Sequence, residues 1–519
     1  MFTMGSVLDR AVRLFENRTA IIHSEGQFTW GEFADRIYRA AGVLESLGVQ
    51  RGLRFGIVSH NSFRQAELIY AGYVIGAVPV PINYRLANPE IKFILEDSSS
   101  KTLIVEDCFA SILDSEELQP WAESALYVGA ELSDVSSLHY ESILRQATPV
   151  SIYDSAEDDD ALLLYTGGTT GRSKGVRLTH RNIALNGLQI SATMRPHNAD
   201  VFLHAAPMFH AADLLGTAYS YVGAAHIYIA KPTGKGLLEI IEKHCITATM
   251  IPPTLIIAAL QEQGFKDHDI SSLRNIIYGS APLTLNWVQR ALDNFSHADI
   301  WHGYGLTETS PIVTLSHLDR TGNRNTAGYI ERWGSAGQTV PGTELRIVND
   351  EGREVATGEI AEVVVRGPQV AKGYLNLPAQ TDEVFRDGWF YTGDVGRVDE
   401  AGYLFLLDRK KDIVITGGEN VYTAEVESVL CSHPNVLEAA VFGIPDDFYG
   451  EAMVAALVVQ PDVTITEKDI INHCRGMIGG YKIPRRVLFL PQLPKNVVGK
   501  VLKSELRLRY AEPQAPSPI

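Results

Sequence analysis

Between Tyr165 and Gly175 the chain reads Tyr-Thr-Gly-Gly-Thr-Thr-Gly-Arg-Ser-Lys-Gly, a short run that mixes glycines, small hydroxyls and two cations. Gly167, Gly168 and Gly171 let the backbone approach an anion closely, Thr166, Thr169 and Thr170 supply hydroxyl donors, and Arg172 and Lys174 supply charge. Such a loop is suited to holding phosphates. It is not a Walker loop, because Lys174 follows Ser173 and precedes Gly175, whereas that motif needs Gly-Lys followed directly by Ser or Thr.

The elements that must position this loop are legible on both sides of it. The apolar run at 161–164 and the run at 176–178 predict strand, loop, strand. Elsewhere, segments rich in Val and Ile alternate with helix-like amphipathic stretches, as when helices cover a largely parallel sheet. A strand is expected over 53–59 with a helix over 63–76. A second unit runs from Met250 and Ile251 through the Pro252-Pro253 break into a helix over 254–261. The strand expected at 275–278 ends in Gly-Ser-Ala-Pro, and an α/β fold usually places its ligand at such an end.

Composition narrows the class. A chain of 519 residues is too long for one core and implies about three or four structural units. With 45% hydrophobic and 21% charged residues it has the make-up of a soluble globular protein. A net charge of −17 argues against nonspecific binding to nucleic acid, so phosphates must be attracted locally. Cys108, Cys245, Cys431 and Cys474 are scattered without metal-ligand spacing, which points to thiols in a reducing compartment. The residues at either end do not read as a secretory signal or a Ser-Lys-Leu type address, so neither is expected, and the uncharged run at 214–230 is too short and too polar to be expected to span a membrane. A cytoplasmic enzyme with no nucleic-acid partner and no integral membrane segment is expected. The acidic run at 157–160 reads as a solvated linker, and the residues from Glu512 as a disordered tail.

The phosphate loop resembles the signature of the adenylate-forming (ANL) superfamily, whose members include AMP-forming acyl-CoA synthetases, the adenylation domains of peptide synthetases and beetle luciferases. In that family Ser is common where this chain has Gly167. The resemblance runs from Phe28-Thr-Trp-Gly-Glu32 to Lys500, nearly the whole chain. Trp301-His-Gly-Tyr-Gly-Leu-Thr-Glu-Thr309 resembles the adenine and metal segment, in which Tyr304 packs on the adenine, Thr307 contacts the α-phosphate and Glu308 binds Mg2+; His302 stands where an amide is frequent. Gly279, Ser280, Ala281 and Pro282 resemble the stretch along the nucleotide, with Gly303 and Gly305 beside it. Pro207-Met-Phe-His210 resembles the aromatic and imidazole pair by the acyl carboxylate, which gives His210 a positioning role. By the same resemblance Ala211, Ala212, Tyr278, Gly279, Gly303 and Gly305 approach the acyl pocket.

Further along, Tyr391-Thr-Gly-Asp394 and Arg409 match the ribose-contacting carboxylate and arginine, and Lys411 falls at the hinge position. Gly417, Gly418 and Glu419 resemble the loop lining the pantetheine tunnel. Lys500, in Pro494-Lys-Asn-Val-Val-Gly-Lys500, matches the lysine that serves adenylation; Lys495 lies outside the Gly-Lys pair.

The resemblance implies an α/β fold with a large, multi-subdomain amino-terminal AMP- and acyl-binding domain (1–407), a hinge (408–412) and a small mobile α+β carboxyl-terminal domain (413–519). It implies an acid–thiol ligase that uses Mg2+, ATP and CoA on a fatty or aromatic acid, in two steps at one site, and it is compatible with a homodimer. Delivery to a carrier protein or another acceptor, a luciferase-like oxidation, and a noncatalytic nucleotide-binding regulator are the alternatives. Retention of Glu308, Asp394, Arg409 and Lys500 together weighs against the last.

Overall fold

The computed structural model describes residues 1–129, 139–166, 173–281, 283–318, 332–416, 418–446, 448–461, 463, 465–475, 477–495 and 501–510. The fold is α/β, with a large amino-terminal domain and a small carboxyl-terminal one.

A nine-stranded sheet forms the centre, in the order Gln338–Thr339, Thr314–His317, Asp299–Tyr304, Asn275–Tyr278, Ala248–Ile251, Val201–His204, Ala225–Tyr228, Thr19–His23 and Gly26–Thr29. Its middle strands pair in parallel and its outer ones antiparallel. The parallel strands are rich in Ile, Leu, Val and aromatic residues, as expected where a sheet is covered on both faces, and Asn275–Tyr278 is buried at every position. A second, all-parallel sheet runs Val78–Ile82, Arg54–Val58, Thr102–Glu106, Leu126–Val128. Between Arg54–Val58 and Val78–Ile82 the chain crosses over through the helix Phe63–Ile75. Ser62 caps that helix by accepting from Gln65 N, and Gly76 ends it at a φ of 68°, where a side chain would be strained.

A separate five-stranded sheet contains Trp389–Val398, with Ala361–Arg366 on one side and Leu404–Arg409 on the other. From Val414 the strands join another sheet, built on the long pair Val436–Asp446 and Gly450–Val459. That small domain has its own core, in which Val426, Leu430, Val441, Met453 and Ile470 are buried.

The expected helices and strands fall where the sequence puts them, to within a residue or two at their ends. Among the described residues no helix is long and apolar enough to cross a membrane.

Candidate active site

The phosphate-type loop joins the strands Asp160–Thr166 and Lys174–Thr179, an antiparallel hairpin in which Thr166 pairs with Lys174. Gly167, Gly168, Thr169, Thr170, Gly171 and Arg172 lie outside the described residues. The hairpin is fixed from both sides. The Tyr165 hydroxyl donates to Asp97 Oδ2 at 2.6 Å, and Val176 bridges to Tyr374. The Lys174 ammonium sits 4.9 Å from the centroid of the Tyr374 ring, and the Tyr374 hydroxyl donates to Glu308 Oε1 at 2.8 Å. One aromatic side chain therefore links the cation of the loop to the carboxylate of the Thr307–Glu308 turn. Burial, and then Glu308 itself, push the Tyr374 phenol well up, so it stays a donor.

Glu308 is buried in the short 3-10 turn Thr307–Thr309, which follows the strand Asp299–Tyr304 and packs against Lys174–Thr179. Its backbone oxygen accepts from Ala371 N at 2.8 Å. With Oε1 taken by Tyr374, Oε2 remains to serve a hard cation, for which a carboxylate oxygen is the natural ligand.

Asp394 and Arg409 are cross-strand partners. Arg409 Nε lies 2.6 Å from Asp394 Oδ1, and the Tyr304 hydroxyl donates to Oδ2 at 2.7 Å, so both carboxylate oxygens are oriented. Burial alone would lower the Arg409 guanidinium, but Asp394 and Tyr304 outweigh it and raise it. Tyr304 packs in the cluster with Val313, Val363 and Leu404, and its hydroxyl donates to Asp394.

His302 lies flat against Tyr278, the ring centroids 4.8 Å apart and the planes 3° from parallel. Burial lowers its pKa and keeps the imidazole neutral. Nδ1 is 2.9 Å from the Ser335 carbonyl, which places the proton on Nδ1 and leaves Nε2 as an acceptor. Gly279 backs directly onto Gly303, where a Cβ would lie 2.6 Å from the Gly303 carbonyl oxygen. Ser280 then turns the chain at a φ of 68°, with Ala281 after it; Pro282 lies outside the described residues. Gly305 follows the strand and leads into the Thr307 turn.

A cavity of about 520 Å³ opens beside these elements. His210, Ala212 and Ser280 line it, together with Met250, Leu255 and Ala258 from the second α/β unit and Tyr84, Arg85 and Asn61 from the first. Of the residues expected there, Ala211 instead packs in the core beside Leu178 and Ile183. Tyr278 and Gly303 lie in the strands Asn275–Tyr278 and Asp299–Tyr304, and Gly279 and Gly305 in the turns that follow, with Ser280 of the cavity lining next in the chain after Gly279. Burial, and then Arg85, lower His210 to about 4, so it is neutral at physiological pH. Its buried Nε2 makes no hydrogen bond among the described residues.

Lys411 is exposed in the turn after Leu404–Arg409, where Asp412 N donates to the Arg409 carbonyl at 2.8 Å. Gly418 has a φ of 85° and open space around it, and Glu419 starts the strand Glu419–Val421; Gly417 lies outside the described residues. Lys500 also lies outside them, as do residues 496–499; Lys495 and Val501 are described. Lys495 bridges to Val501, pairs with Glu438 at 2.6 Å and lines the cavity.

Sequence reading missed Tyr374, Arg85 and the cavity position of Lys495. Tyr374 carried a weak signal, as an aromatic in a glycine-containing loop; Arg85 carried none, because the cavity it lines is completed by residues distant in sequence.

A family model described as AMP-binding enzyme matches residues 8–375, and one described as AMP-binding enzyme C-terminal domain matches residues 425–500. The chain belongs to the AMP-binding enzyme family. Within this family it is an enzyme of the AMP-forming acyl-CoA synthetase kind. It is 34% identical over 520 residues to a feruloyl-CoA synthase of an Amycolatopsis species, covering 98% of this chain and 99% of the relative. It is 34% identical over 491 residues to a long-chain-fatty-acid–CoA ligase of Mycobacterium tuberculosis, covering 93% of each. Among solved structures, ATP-bound MatB from Rhodopseudomonas palustris superposes with a TM-score of 0.88 at 30% identity, covering 98% of this chain and 99% of that one.

Proposed function

We propose that this AMP-binding enzyme activates a fatty or aromatic acid in the cavity beside His210 and then transfers the acyl group to CoA. The observation that carries the reading is that cavity. Its walls are largely apolar, a neutral imidazole stands at its edge, and Lys495 reaches it from the carboxyl-terminal domain. An apolar wall suits the body of such an acid, and a neutral His210 positions the carboxylate, which is already ionised and needs no base.

In the first step a carboxylate oxygen attacks the α-phosphorus of ATP and the bond to pyrophosphate breaks. Thr166, Gly167, Gly168, Thr169, Thr170, Gly171 and Lys174 hold the β- and γ-phosphates, and Thr307 donates to the α-phosphoryl group. Lys500 bridges the acyl carboxylate and the α-phosphate and stabilises the charge that develops between them. Glu308, oriented by Tyr374, would hold Mg2+, which would supply charge neutralisation to the phosphates. Asp394 accepts from the ribose hydroxyls and Arg409 keeps it oriented. Ser280 and Ala281 run along the purine, and His302 Nε2 accepts from its amino group, the same role an amide oxygen would serve.

In the second step the CoA thiolate attacks the acyl carbonyl carbon and AMP leaves. A rotation about Lys411 withdraws Lys500 and brings Gly417, Gly418 and Glu419 over the site. An exposed lysine in a short turn suits that position, since it gives up no buried contact when the backbone changes. The reaction is assigned to the cytoplasm, in keeping with four cysteines that form no disulfide.

The experiment is product analysis by chromatography with ATP, Mg2+ and a panel of aliphatic and aromatic acids, with and without CoA. AMP together with an acyl-CoA that needs both acid and CoA is expected. Acyl-adenylate that never passes to CoA would reject the second step, and nucleotide binding without acid-dependent turnover would reject the first.

A further inference from the structure

Beside the acid cavity, two neighbouring parallel strands of the smaller sheet, Arg54–Val58 and Thr102–Glu106, end side by side and bring three unlike metal-ligating side chains together. These are His60, Glu106 and Cys108, and one ligand atom from each lies within 4.8 Å of the others. His60 Nδ1 is 3.1 Å from Glu106 Oε2 and 3.6 Å from Cys108 Sγ. Tetrahedral zinc, with bonds of about 2.0 Å to nitrogen and oxygen and about 2.3 Å to sulfur, separates its N and O ligands by about 3.3 Å and its N and S ligands by about 3.6 Å. Both observed separations match these edges closely.

The ligands are also held in place. Glu106 Oε2 accepts from His60 N at 2.6 Å and from the Ser59 hydroxyl at 3.2 Å. The buried His60 ring packs against both Tyr84 and Phe109, at centroid distances of 4.5 and 4.6 Å, and those two rings stack on each other at 5.0 Å. Cys108 is exposed, so a fourth coordination position faces solvent.

We infer that His60 Nδ1, Glu106 Oε2 and Cys108 Sγ form a site for a divalent cation of the zinc class, with the fourth position open to water. A mixed nitrogen, oxygen and sulfur set selects zinc over magnesium or calcium, which take oxygen ligands, so this site is chemically distinct from the carboxylate of Glu308. The site also reaches the acid cavity. Asn61, the next residue, donates to the Ala206 carbonyl at 2.8 Å and accepts from Met208 N at 2.9 Å, holding the segment that carries His210. Tyr84 lines the cavity itself, edge-on to Phe209 at 5.6 Å.

The test uses the full chain and Co2+ as a spectroscopic stand-in for zinc. A thiolate-to-cobalt charge-transfer band in the near ultraviolet is expected to saturate at one equivalent, to be displaced by Zn2+ and to persist in excess Mg2+. Cys108→Ser, at an exposed position that does not threaten folding, should abolish the band and weaken Zn2+ binding by at least about 10-fold. Cys245→Ser, at another exposed thiol, should leave both unchanged. No band at one equivalent, or a band that survives Cys108→Ser, would overturn the assignment.

Discussion

The Tyr374 hydroxyl donates to Glu308 Oε1 at 2.8 Å while the face of the same ring carries the Lys174 ammonium at 4.9 Å. Tyr374→Phe keeps the ring and its cation but releases the carboxylate. A neutral hydroxyl bonded to a charged group contributes about 1.5–3 kcal/mol. Part of that is recovered by solvent, so the Mg2+ concentration for half-maximal activity should rise about 3- to 10-fold. Titrating Mg2+ at saturating ATP checks this; an unchanged midpoint would mean that Tyr374 does not orient the metal ligand.

Arg409 and Tyr304 together occupy both oxygens of Asp394, which is only 6% exposed. Arg409→Gln leaves that carboxylate with one partner. A loss of about 2 kcal/mol in stability and roughly a 10-fold rise in the KM for ATP are expected. Adding Asp394→Asn removes the stranded charge, so the double variant should lose less stability than the sum of the two single ones. A denaturation cycle on the four proteins reads the coupling, and strict additivity would deny it.

His210 and His180 are both held near 4 by burial, against an ordinary value of 6.5. Between these values the unfolded chain binds protons that the folded chain does not, so stability rises with pH across that window and is lost as pH falls through it. Each histidine contributes on the order of 1–2 kcal/mol to the loss between pH 7 and pH 5. Urea midpoints at the two pH values measure it, and His210→Asn should shrink the difference. Because His210 is already neutral, its substitution should lower kcat/KM for the acid without adding or removing a limb of the rate profile between pH 5.5 and 8.

What was legible in the sequence was local. The strand–loop–strand around Thr166 and Lys174 and the Gly76 end of the first crossover helix are each written within a dozen residues, where spacing and backbone needs coincide. The cross-strand pairing of Asp394 with Arg409 was not so written; only the resemblance brought the two residues to one site. The cavity was the least legible part. Arg85, Met250 and Lys495 meet there although each follows or belongs to a different sheet, and no periodicity in one segment records its neighbours in space. Small residues near the motifs were therefore expected to line the pocket, whereas Ala211 packs in the core and Gly279 closes against Gly303.

Lys500 is the residue on which the two-step account turns. The most direct measurement compares Lys500→Ala with the unaltered enzyme in the two half-reactions, acid-dependent pyrophosphate exchange and thioester formation from supplied acyl-adenylate. Removal of a cation that acts only on the charge developing in the first transition state should slow adenylation by about 100-fold or more and leave thioester formation within about 3-fold. Equal losses in both half-reactions would contradict the role given to Lys500 and, with it, the alternation between two states of one site.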